Sequence, residues 1–333
     1  MDLTTRYLGL TLSNPFVCGA SPLSANLDAV LRLEDAGAAA IVMHSLFEEQ
    51  ILTSAMRRPH VFGSARLGGT ATASLSAYAQ TPEHYLEHLL RVKQRVGIPI
   101  VASLNGTTPE GWLQYARALE RAGADALELN FYFIATDPDE DGRAVEQRVL
   151  DVVAVVKESV SIPLAVKLSP FYSSLPNVAA RLDRLGTDGL VLFNRFYQAD
   201  IDPATRGTAL HVALSDSSDL LLRLHAVAIL SGRTRLSLAV SGGVHDAMDA
   251  VKAVMAGAHV VQLVSALLRH GPARLGEIRR SFEAWLGAQD YGSLSRLRGT
   301  ASLAGRGDAE RFERGTYVGA LQSWTRDHPP ADD

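Results

Sequence analysis

A single cysteine, Cys18, stands in 333 residues. It excludes an intramolecular disulfide, and it leaves too few thiolates for an iron–sulfur cluster or a cysteine-type zinc site. Any such centre would have to come from another chain, and no metal site is expected in this one. Charge of one sign is also short: 32 Lys and Arg against 36 Asp and Glu leave a net charge of −4. Binding to nucleic acid or to an anionic membrane rests on clustered basic residues, which do not occur here. No apolar run approaches the roughly 18 uninterrupted residues of a membrane span. The start, Met1-Asp2-Leu3-Thr4-Thr5-Arg6, shows no basic region leading into an apolar stretch. No dinucleotide fingerprint follows a strand-like run. These absences point to a cytoplasmic protein that acts on a small molecule and has neither nucleic acid nor membrane as partner.

Apolar mass is plentiful. Hydrophobic residues make up 47% of the chain, enough for a large continuous core, and the length suits one α/β barrel with trimmings. Short strands are expected at Tyr7–Leu12, placed to plug a barrel floor, and at Asn14–Gly19, with a turn at Ser13-Asn14-Pro15 between them. Further buried strands are expected at Ala39–His44, Ile98–Leu104, Ala126–Asn130, Ile162–Leu168, Asp188–Asn194, Leu236–Val240 and His259–Val264. They show no sustained polar alternation, as befits strands covered on both faces. Helical patterns lie between them, and a long loop bearing Gly63, Gly68 and Gly69 runs to about Gln80, the usual form of a lid. Four junctions repeat one device: a helix ends at Gly37, Gly123, Gly186 or Gly257 and the next strand starts at once. The expected architecture is a (β/α)8 TIM barrel over 1–288, with a small N-terminal strand pair and a C-terminal extension, 289–333, packed on it.

In such a barrel the strand C-termini meet at one mouth, where active sites are built. Several expected strands end there in polar residues: Asn130, Lys167, Asn194 and the Ser241-Gly242-Gly243 turn. The glycine turn and Ser265, after strands seven and eight, stand where barrels bind phosphate, because glycine lets backbone N–H groups approach the oxygens. A tight turn alone would also require those glycines. Lys167 follows five apolar residues, Ile162-Pro163-Leu164-Ala165-Val166, so its ammonium emerges at the mouth and could stabilise an anionic reduced flavin. Asn130 and Asn194 offer amide donors and acceptors suited to an imide or pyrimidine edge, although a strand-ending Asn is also a common turn former.

The segments Asn14-Pro15-Phe16-Val17-Cys18-Gly19-Ala20-Ser21, Ala126-Leu127-Glu128-Leu129-Asn130, Val166-Lys167-Leu168-Ser169-Pro170, Val240-Ser241-Gly242-Gly243-Val244 and Ala256-Gly257-Ala258-His259-Val260-Val261-Gln262 resemble the dihydroorotate dehydrogenase family of FMN-binding barrels. The likeness runs from about Tyr7 to Leu286 in unchanged motif order. It implies FMN contacts from Ala20, Ser21, Ser45, Lys167, Gly242, Gly243 and Ser265, with Ser241 beside the glycines, and substrate held by Asn130 and Asn194. It also implies hydride transfer between flavin and dihydroorotate or a related cyclic imide or enone.

The chain departs from that family at its proton-handling position. The family pattern Asn-X-Ser-Cys-Pro-Asn places a Cys or Ser base where this chain has Phe133, within Asn130-Phe131-Tyr132-Phe133-Ile134-Ala135, and phenylalanine accepts no proton. His44 stands where a lysine usually precedes the matched Ser45, and the substrate-binding Asn motif expected near residues 64–80 is not recognisable. Tyr132 and His44 are the candidate replacements as acid or base. Cys18, inside a strand, reads as inert core. Two other readings stay open: a flavin-binding electron-transfer subunit or degenerate enzyme, and a flavin-free phosphate-binding barrel isomerase or lyase. A homodimer and an electron-transfer partner chain are the expected assemblies.

Overall fold

A computed structural model of the chain describes residues 1–47, 81–106, 109–132, 134–195, 200–209, 213–304 and 309–327. The long glycine-bearing loop and its expected lid role, the missing Asn motif near residues 64–80, and Phe133 all lie outside the described residues. Eight parallel strands form a closed barrel: β3 (Phe16–Cys18), β4 (Ala40–Phe47), β5 (Ile100–Asn105), β6 (Ala126–Asn130), β7 (Leu164–Leu168), β8 (Gly189–Leu192), β11 (Ser237–Ser241) and β12 (Val260–Leu263). Each pairs with the next in chain order and β12 returns to β3, the arrangement that repeated βα units generate. The glycines at the four junctions all take positive φ, +93° at Gly37, +89° at Gly123, +80° at Gly186 and +123° at Gly257, as a left-handed helix end requires.

The segment read as one strand over Tyr7–Leu12 is instead a hairpin of β1 (Thr5–Tyr7) and β2 (Leu10–Leu12). The two residues between them, Leu8 and Gly9, have φ of +53° and +75°, and positive φ at both central positions is what a tight primed turn needs. The hairpin closes the barrel floor. Tyr7, Leu8 and Leu12 enter a cluster with Val17, Val42, Val101, Ala126, Ala165, Val191, Ala239 and Val260. Gly189 makes room for them, since a Cβ there would lie 2.5 Å from Leu8 Cδ2 and 2.9 Å from the Ser237 carbonyl. Outside the barrel, the opposite faces of the strands bury Ile41, Met43, Leu127, Leu129, Val166 and Leu263 against the helix layer.

Two features of the fold lacked a clear sequence signal. A second hairpin, β9 (Asp200–Asp202) with β10 (Gly207–Ala209), stands between β8 and β11. β4 runs past His44 to Phe47, with an irregular register between Val42 and Ser45. In the C-terminal region, residues 289–304 dock through Gly299 N to Val254 O and Leu303 N to Ala228 O. The helix Ala309–Asp327 leaves Tyr317, Val318 and Leu321 exposed. No described helix is long and apolar enough to cross a membrane.

Candidate active site

Successive residues of a strand face opposite sides, so positions two apart share a face. Ser103, Glu128, Lys167 and Gln262 each lie two residues beyond a floor residue, namely Val101, Ala126, Ala165 and Val260. They therefore form a second interior layer, nearer the mouth, and all four are buried. The strands are buried on both faces as expected, and within that burial the inner faces of β5, β6, β7 and β12 change from apolar to polar along their length.

Lys167 is 5% exposed and is held inside this layer. Its Nζ donates to Glu128 Oε1 at 3.4 Å and to Gln262 Oε1 at 3.5 Å, and Gln262 Nε2 donates to Glu128 Oε2 at 2.7 Å. The three side chains close a ring in which the buried cation and anion compensate each other. Both lysine contacts are long, and an ammonium has three N–H donors, so Nζ keeps capacity toward a ligand. Below the ring, burial pushes the Tyr7 phenol well up and the Glu128 charge adds to the effect, which keeps that hydroxyl protonated.

Asn130 lies two residues beyond Glu128. Its Nδ2 donates to Ser45 Oγ at 3.3 Å, and Ser45 Oγ is 2.8 Å from Ser103 Oγ. Its Oδ1 is buried and has no hydrogen-bond partner among the described residues. A buried carbonyl without a donor costs free energy that a ligand N–H can recover. Asn194 is fixed by its Nδ2, which donates to the Phe131 carbonyl at 2.9 Å, and by its backbone N–H, bonded to Leu168 O at 2.9 Å. Tyr132 is half-buried and follows Phe131, whose ring stacks on Trp112 at 5.4 Å.

His44 is drawn elsewhere. Its ring packs against Tyr85, centroids 4.9 Å apart, and lies 6.3 Å from His88, both on the helix Pro82–Arg95. Its backbone N–H donates to Ser24 Oγ. The local irregularity in β4 keeps Ser45 facing inward while the preceding ring meets the helix layer, so the structure does not bring His44 together with Lys167 and Asn130 as its place in the strand had suggested. Cys18 is fully buried, and burial pushes its thiol up to about 12, a state without nucleophilic character.

Across the mouth, the loops after β3, β8, β11 and β12 converge. Gly19 lets the first approach the last, since a Cβ would lie 2.7 Å from Val264 Cγ2; half-buried Ala20 and buried Ser21 follow it. Gly242 and Gly243 take φ of +87° and +82° after the buried Ser241. A Cβ on Gly243 would sit 2.4 Å from Leu220 N and 2.6 Å from its Cα, so backbone crowding by the helix Leu220–Leu230, rather than ligand space alone, demands glycine there. Ser215 ties the loops together: its N–H donates to Ser265 Oγ at 3.1 Å, and its Oγ accepts from Gly243 N at 3.2 Å and lies 3.2 Å from His245 Nε2.

Glu128, Gln262, Ser103, Ser215 and Arg223, which donates to the Ser241 carbonyl at 2.8 Å, were not singled out by sequence reasoning. Glu128 had a usable signal, a carboxylate inside an apolar strand two residues before Asn130, and Gln262 had the same kind. Ser215 had none. A flavin mononucleotide placed here would meet the buried Lys167 cation with its ring system and the positive-φ turn, with a guanidinium behind it, with its phosphate, and the Asn130 oxygen would remain for a second ligand.

Residues 2–286 match the dihydroorotate dehydrogenase family. Similar proteins include the catalytic subunit of dihydroorotate dehydrogenase B (NAD(+)) from Methanothermobacter thermautotrophicus, 27% identical over 313 residues that cover 90% of this chain and 98% of the relative. The subunit of the same name from Thermoplasma acidophilum is 25% identical over 316 residues, 90% of this chain and 99% of its own. The PreA subunit of NAD-dependent dihydropyrimidine dehydrogenase from Escherichia coli is 22% identical over 324 residues, 90% of this chain and 77% of its own.

Proposed function

The chain belongs to the dihydroorotate dehydrogenase family, and from that membership we propose that it binds FMN at the barrel mouth and exchanges hydride with dihydroorotate or a related cyclic imide or enone. It is an oxidoreductase acting on CH–CH bonds. The observation that carries the assignment is the buried Lys167–Glu128–Gln262 ring beside an Asn130 carbonyl that lacks a donor. When bound, the flavin supplies the ring that takes up or releases hydride. Lys167 provides a positive charge where negative charge develops, inside a region of low water content that strengthens the interaction. Glu128 and Gln262 hold Nζ in place, so little reorganisation is needed during the reaction.

Asn130 Oδ1 accepts an N–H from the substrate's imide edge, while Ser45 and Ser103 fix the amide plane from behind. Asn194 is oriented by its bond to Phe131 O and presents its remaining amide capacity from the opposite side of the mouth. Ala20, Ser21, Ser241, Gly242, Gly243 and Ser265 form the cofactor wall in this reading. Proton transfer falls to Tyr132 rather than to His44 in this reading, because Tyr132 follows Asn130 by two residues in the loop after β6 whereas the His44 ring packs on the helix layer. Relatives named as catalytic subunits favour a partner chain that carries electrons onward, and a homodimer of this chain is a separate part of the proposal.

The test begins with denatured, purified protein, which is expected to release FMN. Release of FAD, or no flavin after reconstitution, ends this reading in favour of a flavin-free barrel. An anaerobic screen for bleaching of the flavin band then ranks dihydroorotate, dihydropyrimidines and enones. With Phe133 at the base position of the family pattern, dihydroorotate is expected to be slow by about 10²- to 10⁴-fold relative to family members that hold a base, and Tyr132→Phe is expected to remove the residual rate. No bleaching by any of these compounds would favour the electron-transfer or degenerate reading.

A further inference from the structure

The helix Leu220–Leu230 reads LLLRLHAVAIL, and its one arginine is turned inward: Arg223 is 6% exposed. A buried guanidinium normally sits opposite a carboxylate, because desolvating a charge without compensation is costly. Arg223 has no such partner among the described residues. Its Nε donates to the Ser241 carbonyl at 2.8 Å and its Nη1 to the Asp219 carbonyl, both neutral acceptors. The Asp219 carboxylate attracts it from a distance but is itself bound to Arg195 Nη1 at 2.8 Å. Burial accordingly opposes the charge on Arg223, yet a guanidinium keeps its proton in proteins.

The guanidinium lies directly behind the glycine turn. A Cβ built on Gly242 would be 3.1 Å from Nη2, 3.3 Å from Nε and 3.4 Å from Cζ. Nη2 makes no hydrogen bond to the described protein. An uncompensated cation in a low-dielectric wall, against a positive-φ glycine turn, favours an anion at that turn. We propose that Arg223 is the specificity-determining cation of the Gly242–Gly243 turn, selecting a phosphomonoester over a neutral ligand of the same shape. The natural ligand in this inference rests on the FMN reading, whereas the position of the charge does not.

The experiment compares apoprotein binding of FMN and riboflavin, which differ only in the phosphate, by fluorescence quenching in wild type, Arg223→Gln and Arg223→Lys. Arg223→Gln keeps an amide donor for Ser241 O but loses the charge. It is expected to reduce the FMN-to-riboflavin preference by about tenfold to a hundredfold, the usual worth of a hydrogen bond to a charged group, with riboflavin binding unchanged, while Arg223→Lys keeps most of the preference. An unaltered preference in Arg223→Gln, or equal weakening of both ligands, would make Arg223 a structural residue and overturn the inference. Should Arg223→Gln fail to fold, the wild-type preference decides: below about threefold, the inference is wrong.

Thermal unfolding of the apoprotein with inorganic phosphate separates the two readings. Stabilisation of wild type but not of Arg223→Gln, with no flavin bound by either, would sustain the anion site and reject FMN. No stabilisation of wild type together with no preference for FMN would reject the anion site itself.

Discussion

The floor and the mouth of the barrel are built from the same strands, two residues apart, yet they obey opposite rules. At the floor, Val101, Ala126, Ala165 and Val260 meet the plugging hairpin through Leu8 and Leu12, and each is stabilised by burial alone, roughly in proportion to the apolar area removed from water. At the mouth, Glu128, Lys167 and Gln262 are equally buried, and none would be tolerated singly. Their stability comes from one another: the ammonium, carboxylate and carboxamide satisfy a closed set of bonds. A floor residue can be exchanged for another of similar volume at small cost. A mouth residue can be exchanged only with its partners.

The most direct way to break the contrast is Lys167→Met. It leaves the Glu128 carboxylate with Gln262 alone, so stability is expected to fall by about 3–5 kcal/mol, and flavin reduction to slow by roughly 10²-fold or more. Urea unfolding and anaerobic stopped-flow measure the two effects. The double variant Lys167→Met with Glu128→Gln should regain most of the stability and none of the rate; if the single variant were as stable as wild type, the ring would not be an ion pair in the sense argued here. Leu12→Ala tests the floor. A cavity there is expected to cost about 2–5 kcal/mol while the FMN dissociation constant stays the same, and a change in flavin affinity would show that floor and mouth are coupled.

A smaller effect sharpens the comparison through pH. His259, at the floor end of β12, accepts a hydrogen bond from Leu238 N at its Nδ1, 3.0 Å away, and burial with Arg298 nearby lowers its imidazole from 6.5 to about 4. The folded protein therefore resists a proton that the unfolded chain takes up. Stability is complete above about pH 6.5 and is lost as pH falls from 6.5 toward 4. The loss is roughly 1–2 kcal/mol after allowance for partial exposure. Unfolding midpoints at pH 7 and 4.5 measure it. His259→Asn, which still accepts from Leu238 N without titrating, is expected to flatten the dependence, and an equal slope in that variant would assign the acid sensitivity to another group.

Much of the fold was legible because its signals are local. The glycine junctions at Gly37, Gly123, Gly186 and Gly257 each required only a left-handed residue at a helix end, and a glycine reports that directly. Lys167 and Asn130 were legible as site candidates for the same reason, each being a polar residue ending an apolar strand. The hairpin turn at Leu8-Gly9 was not, because leucine gives no hint of positive φ and is held there by its burial in the floor. His44 is placed otherwise than its strand position suggests, because an irregularity of register in β4 determines which side of the barrel wall receives its ring.

Composition, periodicity and motif order were sufficient by themselves for a parallel barrel and for the family, since each depends on residue type at short spacing along the chain. Closure of the barrel settled the rest. Only there do Glu128 and Gln262, 134 residues apart in sequence, become neighbours that hold Lys167, and only there does Arg223 come to lie behind Gly242. Electrostatic compensation and desolvation act through space, and their partners are named by the fold rather than by their order in the chain.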